Sequence, residues 1–153
     1  MPTYSRKSLA PVDPRRLRLN DPDGSSGTLL GMRCLNCEVC VFGEAIFCQA
    51  CSSDNLESVD LSSCGILYSY TIVRVPPEGW PGPVPYVLGE VELPEGPHVL
   101  AEVIDIEHSD LRVGLEVRLA LEPVQAGDSG PTLMVYKWAP SDVTQALPQE
   151  GSP

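Results

Sequence analysis

Residues 34–37 (CLNC), followed after a gap of ten residues by residues 48–51 (CQAC), decide how the N-terminal part of this chain folds. Two Cys-x-x-Cys motifs joined by a short, mostly apolar hairpin are typical of a tetrahedral four-thiolate metal site, in which each pair holds one side of the ion. Two disulfides or free core cysteines are the alternatives, but two matched pairs at this spacing rarely arise by chance. The spacing predicts that Cys34, Cys37, Cys48 and Cys51 bind one zinc ion, or less favourably iron. Four protein thiolates leave no open position for water or substrate, so the predicted metal is structural.

Two further cysteines leave an alternative open. Cys40 forms a second, overlapping Cys-x-x-Cys motif with Cys37 and could replace Cys34 in the first pair. The ten-residue gap from Cys37 to Cys48 suits a ribbon hairpin, which favours Cys34. Cys64 lies in a Ser-Ser-Cys-Gly run that is typical of a turn before a strand. We expect both extra cysteines to be small packed or half-exposed thiols.

Length and composition limit the possible classes of protein. A chain of 153 residues forms one modest domain or two very small ones. No stretch has the pattern of a signal peptide or a membrane span, and thiol ligands without such a signal favour a reducing cytoplasm. The 16 prolines and 13 glycines, with only 6% aromatic residues, favour strands and turns over long helices.

The charge is unevenly distributed. The formal net charge is −11, yet the segment up to Arg33 is slightly basic and the remainder strongly acidic. Affinity for nucleic acid depends on cations that displace the counterions of the phosphate backbone. The acidic body therefore argues against a nucleic-acid-binding function.

Residues 1–26 form a predicted N-terminal arm, with prolines that leave room for at most one helical turn, capped by Asp13. The arm is either a disordered tail or a segment that becomes ordered on another protein, with Tyr4, Leu17 and Leu19 as possible anchors. Residues 27–55 form the predicted ribbon, whose only candidates for a small core are Val39, Val41, Phe42, Ile46 and Phe47. That core is too small to fold without help, so the metal must supply most of the ribbon's stability.

Residues 56–140 have the pattern of a small β-barrel, and residues 141–153 form a polar tail. After a short strand at 56–61, stretches 65–75, 86–93, 98–104, 116–122 and 133–138 are rich in β-branched and aromatic residues. Gly89 predicts a bulge or kink in the second of these. Five strands of this length predict an OB-type barrel. The proline-rich segment 76–85 is a stiff loop that carries Trp80, either as a lid over the domain's own core or as a contact for a partner or ligand.

The barrel shows no pattern of an active site. His98 and His108 have no serine, cysteine or carboxylate placed by sequence to partner them, so both are expected on the surface. The carboxylate pair Glu90 and Glu92 has the spacing of a solvated strand face. No glycine-rich phosphate loop follows a strand. We therefore expect no catalytic residues in this chain.

The ribbon and barrel motifs together resemble a bacterial and archaeal family. Its members pair an N-terminal rubredoxin-like zinc ribbon with a C-terminal acyl-CoA-associated OB-fold domain. The similar stretches are GMRCLNC, CQAC, LSSCGILYSYTIV, PYVLGEVEL, DLRVGLEV and TLMVYKWAP, which span nearly all of residues 27–140. The chain departs from the family at three places. Glu38 stands where the family has a glycine after the first Cys-x-x-Cys motif, and Gln49 stands where a proline enters the second. A basic residue that is common in the hairpin is missing near Ala45. We expect a slightly strained ribbon from the missing glycine.

The resemblance implies a non-catalytic subunit of a thiolase-like enzyme. Known family contexts are acetoacetyl-CoA thiolase with hydroxymethylglutaryl-CoA synthase, steroid side-chain aldolases and thiolases of anaerobic aromatic degradation. It implies a hetero-oligomer such as a heterotetramer, in which acyl-CoA binds only within the complex. Because cations are scarce after Arg33, we expect the partner to hold the nucleotide, while Trp80 and Tyr86 lie near the acyl end. The alternatives are a rubredoxin-like iron electron carrier and, less favoured, a nucleic-acid-binding OB module.

Overall fold

The computed structural model describes residues 8–125 and 130–141. The strands in these ranges are β1 (Leu9–Pro11), β2 (Leu17–Leu19), β3 (Gly27–Cys34), β4 (Cys40–Phe42), β5 (Leu56–Asp60), β6 (Cys64–Val73), β7 (Tyr86–Glu92), β8 (His98–Val103), β9 (Glu116–Gln125) and β10 (Thr132–Pro140). One 3-10 turn covers His108–Asp110. Within the described ranges, no helix has the length and apolar character that crossing a membrane requires.

Strands β6 to β10 close into a barrel. Their order is β6-β7-β8-β10-β9, and β9 returns to β6. Strands β8 and β10 run parallel, whereas the other barrel neighbours are antiparallel. This is the five-stranded OB arrangement. Each of the five predicted stretches overlaps one of its strands, so the predicted fold class is confirmed.

Alternation along the strands fills the barrel interior. Val87 and Val91 on β7 and Val99 and Val103 on β8 point inward and are buried, around the fully buried Trp138. The indole N–H of Trp138 donates to the Val99 carbonyl at 3.3 Å. Burying branched side chains in this way supplies most of the folding free energy of a small barrel.

The irregularity predicted at Gly89 lies on the neighbouring strand instead. The register between β6 and β7 shifts between Leu67 and Ser69, while Gly89 pairs regularly with Tyr70. Gly89 has a different role, because a Cβ there would lie 2.5 Å from Val103 and 2.8 Å from Leu67. The bulge also interrupts the alternation of β6, because Gly65 and Leu67 are buried but Tyr68 to Thr71 are all exposed.

The ribbon is built on β3. Strands β4 and β5 pair antiparallel with opposite edges of β3, and β2 pairs antiparallel with its first residues, Gly27 to Leu29, on the same edge as β4. These pairings cross the boundaries expected at 26/27 and 55/56. Leu17, Leu29 and Leu61 are buried in one cluster with the barrel core, so ribbon and barrel share their apolar interior.

The described part of the arm is folded onto the rest of the chain. Strand β1 runs parallel to β10, and Leu17 on β2 is fully buried. The predicted turn is present, with the Asp13 side chain accepting from the Arg15 amide at 2.9 Å. The disordered-tail alternative is thus wrong for residues 8–26. The anchor Tyr4, the loop residues 126–129 and the tail from residue 142 lie outside the described residues.

The prediction of a small ribbon core is wrong for the two residues at the tip of the hairpin. Ile46 and Phe47 are 79% and 61% exposed. Phe42 packs instead against Tyr136 of the barrel, edge to face at 5.7 Å, and the Arg16 guanidinium lies 5.5 Å from its ring. The hairpin is too short to enclose its own apolar residues, so the barrel and the arm cover those nearest to them.

Candidate metal centre

Two turns of the same form position the cysteine pairs. The first follows the end of β3 at Cys34, and the Glu38 amide donates to the Cys34 carbonyl at 2.9 Å. In the second turn the Ser52 amide donates to the Cys48 carbonyl, also at 2.9 Å. Each turn brings its two thiols to one side, so the two pairs face each other.

Both turns end in a left-handed residue. Glu38 has φ 68° and Ser52 has φ 63°, a region that costs a residue with a Cβ about 1–2 kcal/mol. The strain expected at Glu38 from the missing glycine is therefore present. The left-handed conformation of Ser52 was not predicted, although Ser52 follows the second Cys-x-x-Cys motif as Glu38 follows the first.

The four sulfur atoms form a group of metal-binding size. The Sγ atoms of Cys34, Cys37, Cys48 and Cys51 all lie within 4.8 Å of one another. The Cys34–Cys51 and Cys37–Cys48 separations are 3.6 and 3.4 Å. These are too long for a disulfide, which needs about 2.05 Å, and close to the roughly 3.8 Å between thiolates tetrahedrally bound at about 2.3 Å. The donor set and its spacing therefore fit a tetrahedral metal ion.

Amide groups turned toward sulfur stabilise part of this cluster as thiolate. The Asn36 side-chain amide, 3.5 Å from the Cys51 sulfur, is the main cause that lowers the pKa of Cys51 to about 6. The Cys51 and Ala50 backbone amides lower the pKa of Cys48. Hydrogen bonding to the charged form favours it. The Cys51 sulfur can therefore meet a cation near neutral pH with little cost of proton removal, and the lowered pKa of Cys48 reduces the same cost there.

The pKa of Cys37 is raised, in contrast to those of Cys48 and Cys51. The Val39 amide lowers the pKa of Cys37, but the neighbouring thiols of Cys48, Cys51 and Cys34, together with desolvation, raise it to about 12. A bound cation reverses this effect, because a coordinating thiol is deprotonated by the metal charge. Metal binding would therefore release protons from the cluster.

The other two cysteines lie apart from this cluster. Cys40 is partly buried at the start of β4, and Cys64 is exposed as the first residue of β6, not in a turn. Neither belongs to the four-sulfur group. The structure therefore groups Cys34, not Cys40, with the other three.

The loop tryptophan stands outside the barrel core. The Trp80 ring stacks on Tyr86 at 4.1 Å with an interplanar angle of 20°, and its N–H donates to the Pro83 carbonyl at 3.2 Å. Trp80 therefore covers the outer surface of β7, and Trp138 is the tryptophan of the core. The two stacked rings form one wall of a groove of about 630 Å³, which we call the Trp80 groove; Leu88, Leu100, Val124 and Tyr136 also line it.

His98 has carboxylate partners that the sequence analysis did not assign. Its Nδ1 lies 2.7 Å from Glu90 and its Nε2 lies 3.1 Å from Glu92, while the Tyr68 ring centroid is 4.6 Å away. The hydrogen bond with Glu90 raises the pKa of His98 and in return lowers the pKa of Glu90. The antiparallel hairpin places Glu92 opposite His98, so the predicted strands and their turn already contained this signal.

Comparisons with known proteins agree with the OB barrel of this architecture. Residues 58–122 match the family model described as ChsH2, C-terminal OB-fold domain. A DUF35 domain-containing scaffold protein of Pyrococcus furiosus is 36% identical over 113 residues, which cover 73% of this chain and 82% of that protein. The benzoylsuccinyl-CoA thiolase subunit BbsA of Geobacter metallireducens is 31% identical over 116 residues, 76% of this chain and 77% of that subunit. The solved Ltp2-ChsH2(DUF35) aldolase is similar with a TM-score of 0.57 and 27% identity, over 74% of this chain and 84% of that one.

Proposed function

Because the chain belongs to the family of DUF35 domain-containing scaffold proteins, we propose that it is a non-catalytic subunit of a thiolase-like enzyme that cleaves or condenses β-ketoacyl-CoA. The observation that carries this proposal is the extent of the similarity to a thiolase subunit. It spans about three quarters of both chains, and the four-cysteine group and the OB barrel together make up most of the described structure. The chain stabilises the complex and helps to shape the acyl-CoA site.

The metal in this proposal is one structural zinc ion held by Cys34, Cys37, Cys48 and Cys51. The sulfur spacing and the four-thiolate donor set support it. Zinc bound there fixes the two turns and performs no chemistry on substrate. The same donor set also accepts iron, and an electron carrier of that kind would be coloured and redox-active. Metal analysis and a visible spectrum of the purified chain distinguish the two, and a colourless zinc protein is the expected result.

Within the complex, the partner holds the nucleotide part of acyl-CoA and this chain contributes apolar surface near the acyl end. The net charge of −11 disfavours a polyanionic nucleotide on the isolated chain. Trp80 and Tyr86 offer a stacked aromatic surface on the barrel exterior. We place these two side chains closest to the acyl group.

Co-purification and calorimetry test this function. The chain is co-expressed with the thiolase-like protein of the same organism, and each is titrated with acetyl-CoA, alone and as a complex. We expect a stable complex, thiolase activity that depends on both proteins, and no heat of binding from the isolated chain. Micromolar binding of acetyl-CoA by the isolated chain would contradict the proposal that the partner holds the nucleotide. Turnover of a thioester by the isolated chain would contradict the non-catalytic role.

A further inference from the structure

The outer face of β7 and β8 directs Tyr86, Leu88 and Leu100 outward beside three carboxylates and His98. Val87, Val91, Val99 and Val103 point inward, so their neighbours along each strand point outward. Among the outward side chains, Leu100 is 58% exposed. Leu88 and Leu100 also line the Trp80 groove, so these apolar side chains form one connected surface with it, and such surfaces mark interaction sites. We call this surface the β7–β8 face.

Strand register mixes apolar and acidic side chains on the face. Leu100 lies opposite Glu90, and Leu88 lies opposite Glu102. One end of the face continues to the exposed Tyr68 ring, which lies tilted against the His98 ring, and the other continues into the Trp80 groove. The surface therefore extends beyond the two strands in both directions.

The nearby cations are already paired. His98 lies between Glu90 and Glu92, and the Lys137 ammonium lies 2.9 Å from Glu102 and 2.8 Å from Glu122. The four carboxylates outnumber these two cations, so the face is acidic as well as apolar. Its complement is an apolar patch bordered by arginine or lysine.

We propose that the β7–β8 face is the surface on which the thiolase-like catalytic subunit docks, through apolar side chains bordered by arginine or lysine. This inference rests on the proposed function and names the surface that serves it. A second copy of this chain is a poorer occupant, because it would bring carboxylates against carboxylates on a molecule of net charge −11. The exposed ribbon tip, Ile46 and Phe47, is also a poorer site. Two side chains cannot supply the roughly 800 Å² per partner of a standard interface.

Charge placed at the centre of the face tests the proposal. Leu100→Glu is compared with the wild-type chain and with Ile46→Glu, an equally drastic change at the 79% exposed ribbon tip. Affinity for the purified thiolase-like subunit is measured by calorimetry, with circular dichroism and metal content to verify folding. We expect Leu100→Glu to weaken the complex at least about tenfold and Ile46→Glu to change affinity by less than about twofold. Leu100→Ser, which adds no charge, should also weaken binding, and raising the salt concentration should weaken the wild-type complex.

The outcomes separate this inference from the function on which it rests. If the wild-type chain binds no thiolase-like subunit, the proposed function fails and this inference falls with it. If the wild type binds but Leu100→Glu binds equally well, or if Ile46→Glu alone loses binding, the function stands and the docking surface is wrong. Light scattering of the isolated chain gives a further check. A dimer that Leu100→Glu dissociates would assign the face to a second copy and overturn the proposal.

Discussion

At the scale of single residues, the pairing of His98 with Glu90 and Glu92 makes stability depend on pH. The hydrogen bond with Glu90 is the main cause that raises the pKa of His98 above its ordinary value of 6.5. A raised histidine pKa stabilises the fold fully below the unfolded value, and this contribution disappears as the pH rises through the folded pKa. We therefore expect the free energy of unfolding in urea to fall above about pH 6.5, and His98→Gln to flatten that fall.

The contribution of Glu90 to stability depends on pH in the opposite direction. The hydrogen bond from His98 is the main cause that lowers the pKa of Glu90 below 4.5, so the contribution of Glu90 is present above that value and disappears as the pH falls through the folded pKa. His108→Gln is the control, since His108 makes no ion pair within the described residues. An unchanged pH profile in His98→Gln would show that the pair contributes nothing.

Glu38 offers a second test at this scale, because its backbone is left-handed at φ 68°. Glycine removes a conformational cost of about 1–2 kcal/mol but adds about 0.5–1 kcal/mol of chain entropy in the unfolded state. We expect Glu38→Gly to stabilise the metal-loaded chain against urea by up to about 1 kcal/mol. Glu38→Ala is the matched control: it also removes the exposed ion pair with Arg33 but keeps a Cβ, so it should give no gain. Equal stability of the two variants would contradict the strain argument.

At the scale of elements, β2 fixes the arm to the core. Leu17 is fully buried in the cluster that joins ribbon and barrel. Truncating such a side chain leaves a cavity, so Leu17→Ala should cost about 2–5 kcal/mol of unfolding free energy in urea. Val12→Ala changes the same arm at a 41% exposed position and should cost less than about 1 kcal/mol. Similar small losses in both variants would mean that the arm adds little to the core.

The burial of β2 could not be predicted from the sequence, unlike the barrel strands and the metal centre. The barrel strands were predictable because β-branched residues alternate over long stretches, and the metal centre was predictable because ligand spacing is local. Leu17 is an isolated apolar residue among prolines and charged residues, so no hydrophobic periodicity indicated that it would be buried. The bulge at Tyr68 and the pairing of His98 depend on register between strands, which a single-strand pattern does not encode.

At the scale of the whole molecule, one apolar interior links the metal centre to the barrel. Leu29 on β3 and Leu61 after β5 lie in the same buried cluster as Trp138. Two separately folding modules would each enclose their own core, as the sequence analysis expected of the ribbon. The shared cluster predicts that ribbon and barrel unfold as one cooperative unit.

Metal removal tests this coupling. Since binding free energy is folding free energy in a thiolate ribbon, a chelator or Cys48→Ser should remove the metal and unfold the ribbon strands. The loss should also reach Trp138, which is fully buried in the barrel, so thermal unfolding followed by tryptophan fluorescence should shift to lower temperature. Cys40→Ser and Cys64→Ser, outside the four-sulfur group, should retain both the metal and the transition. An unchanged fluorescence transition in a metal-free chain whose ribbon has unfolded would contradict this prediction. The buried leucines between ribbon and barrel would then contribute little to cooperative unfolding, and the two parts would be independent modules.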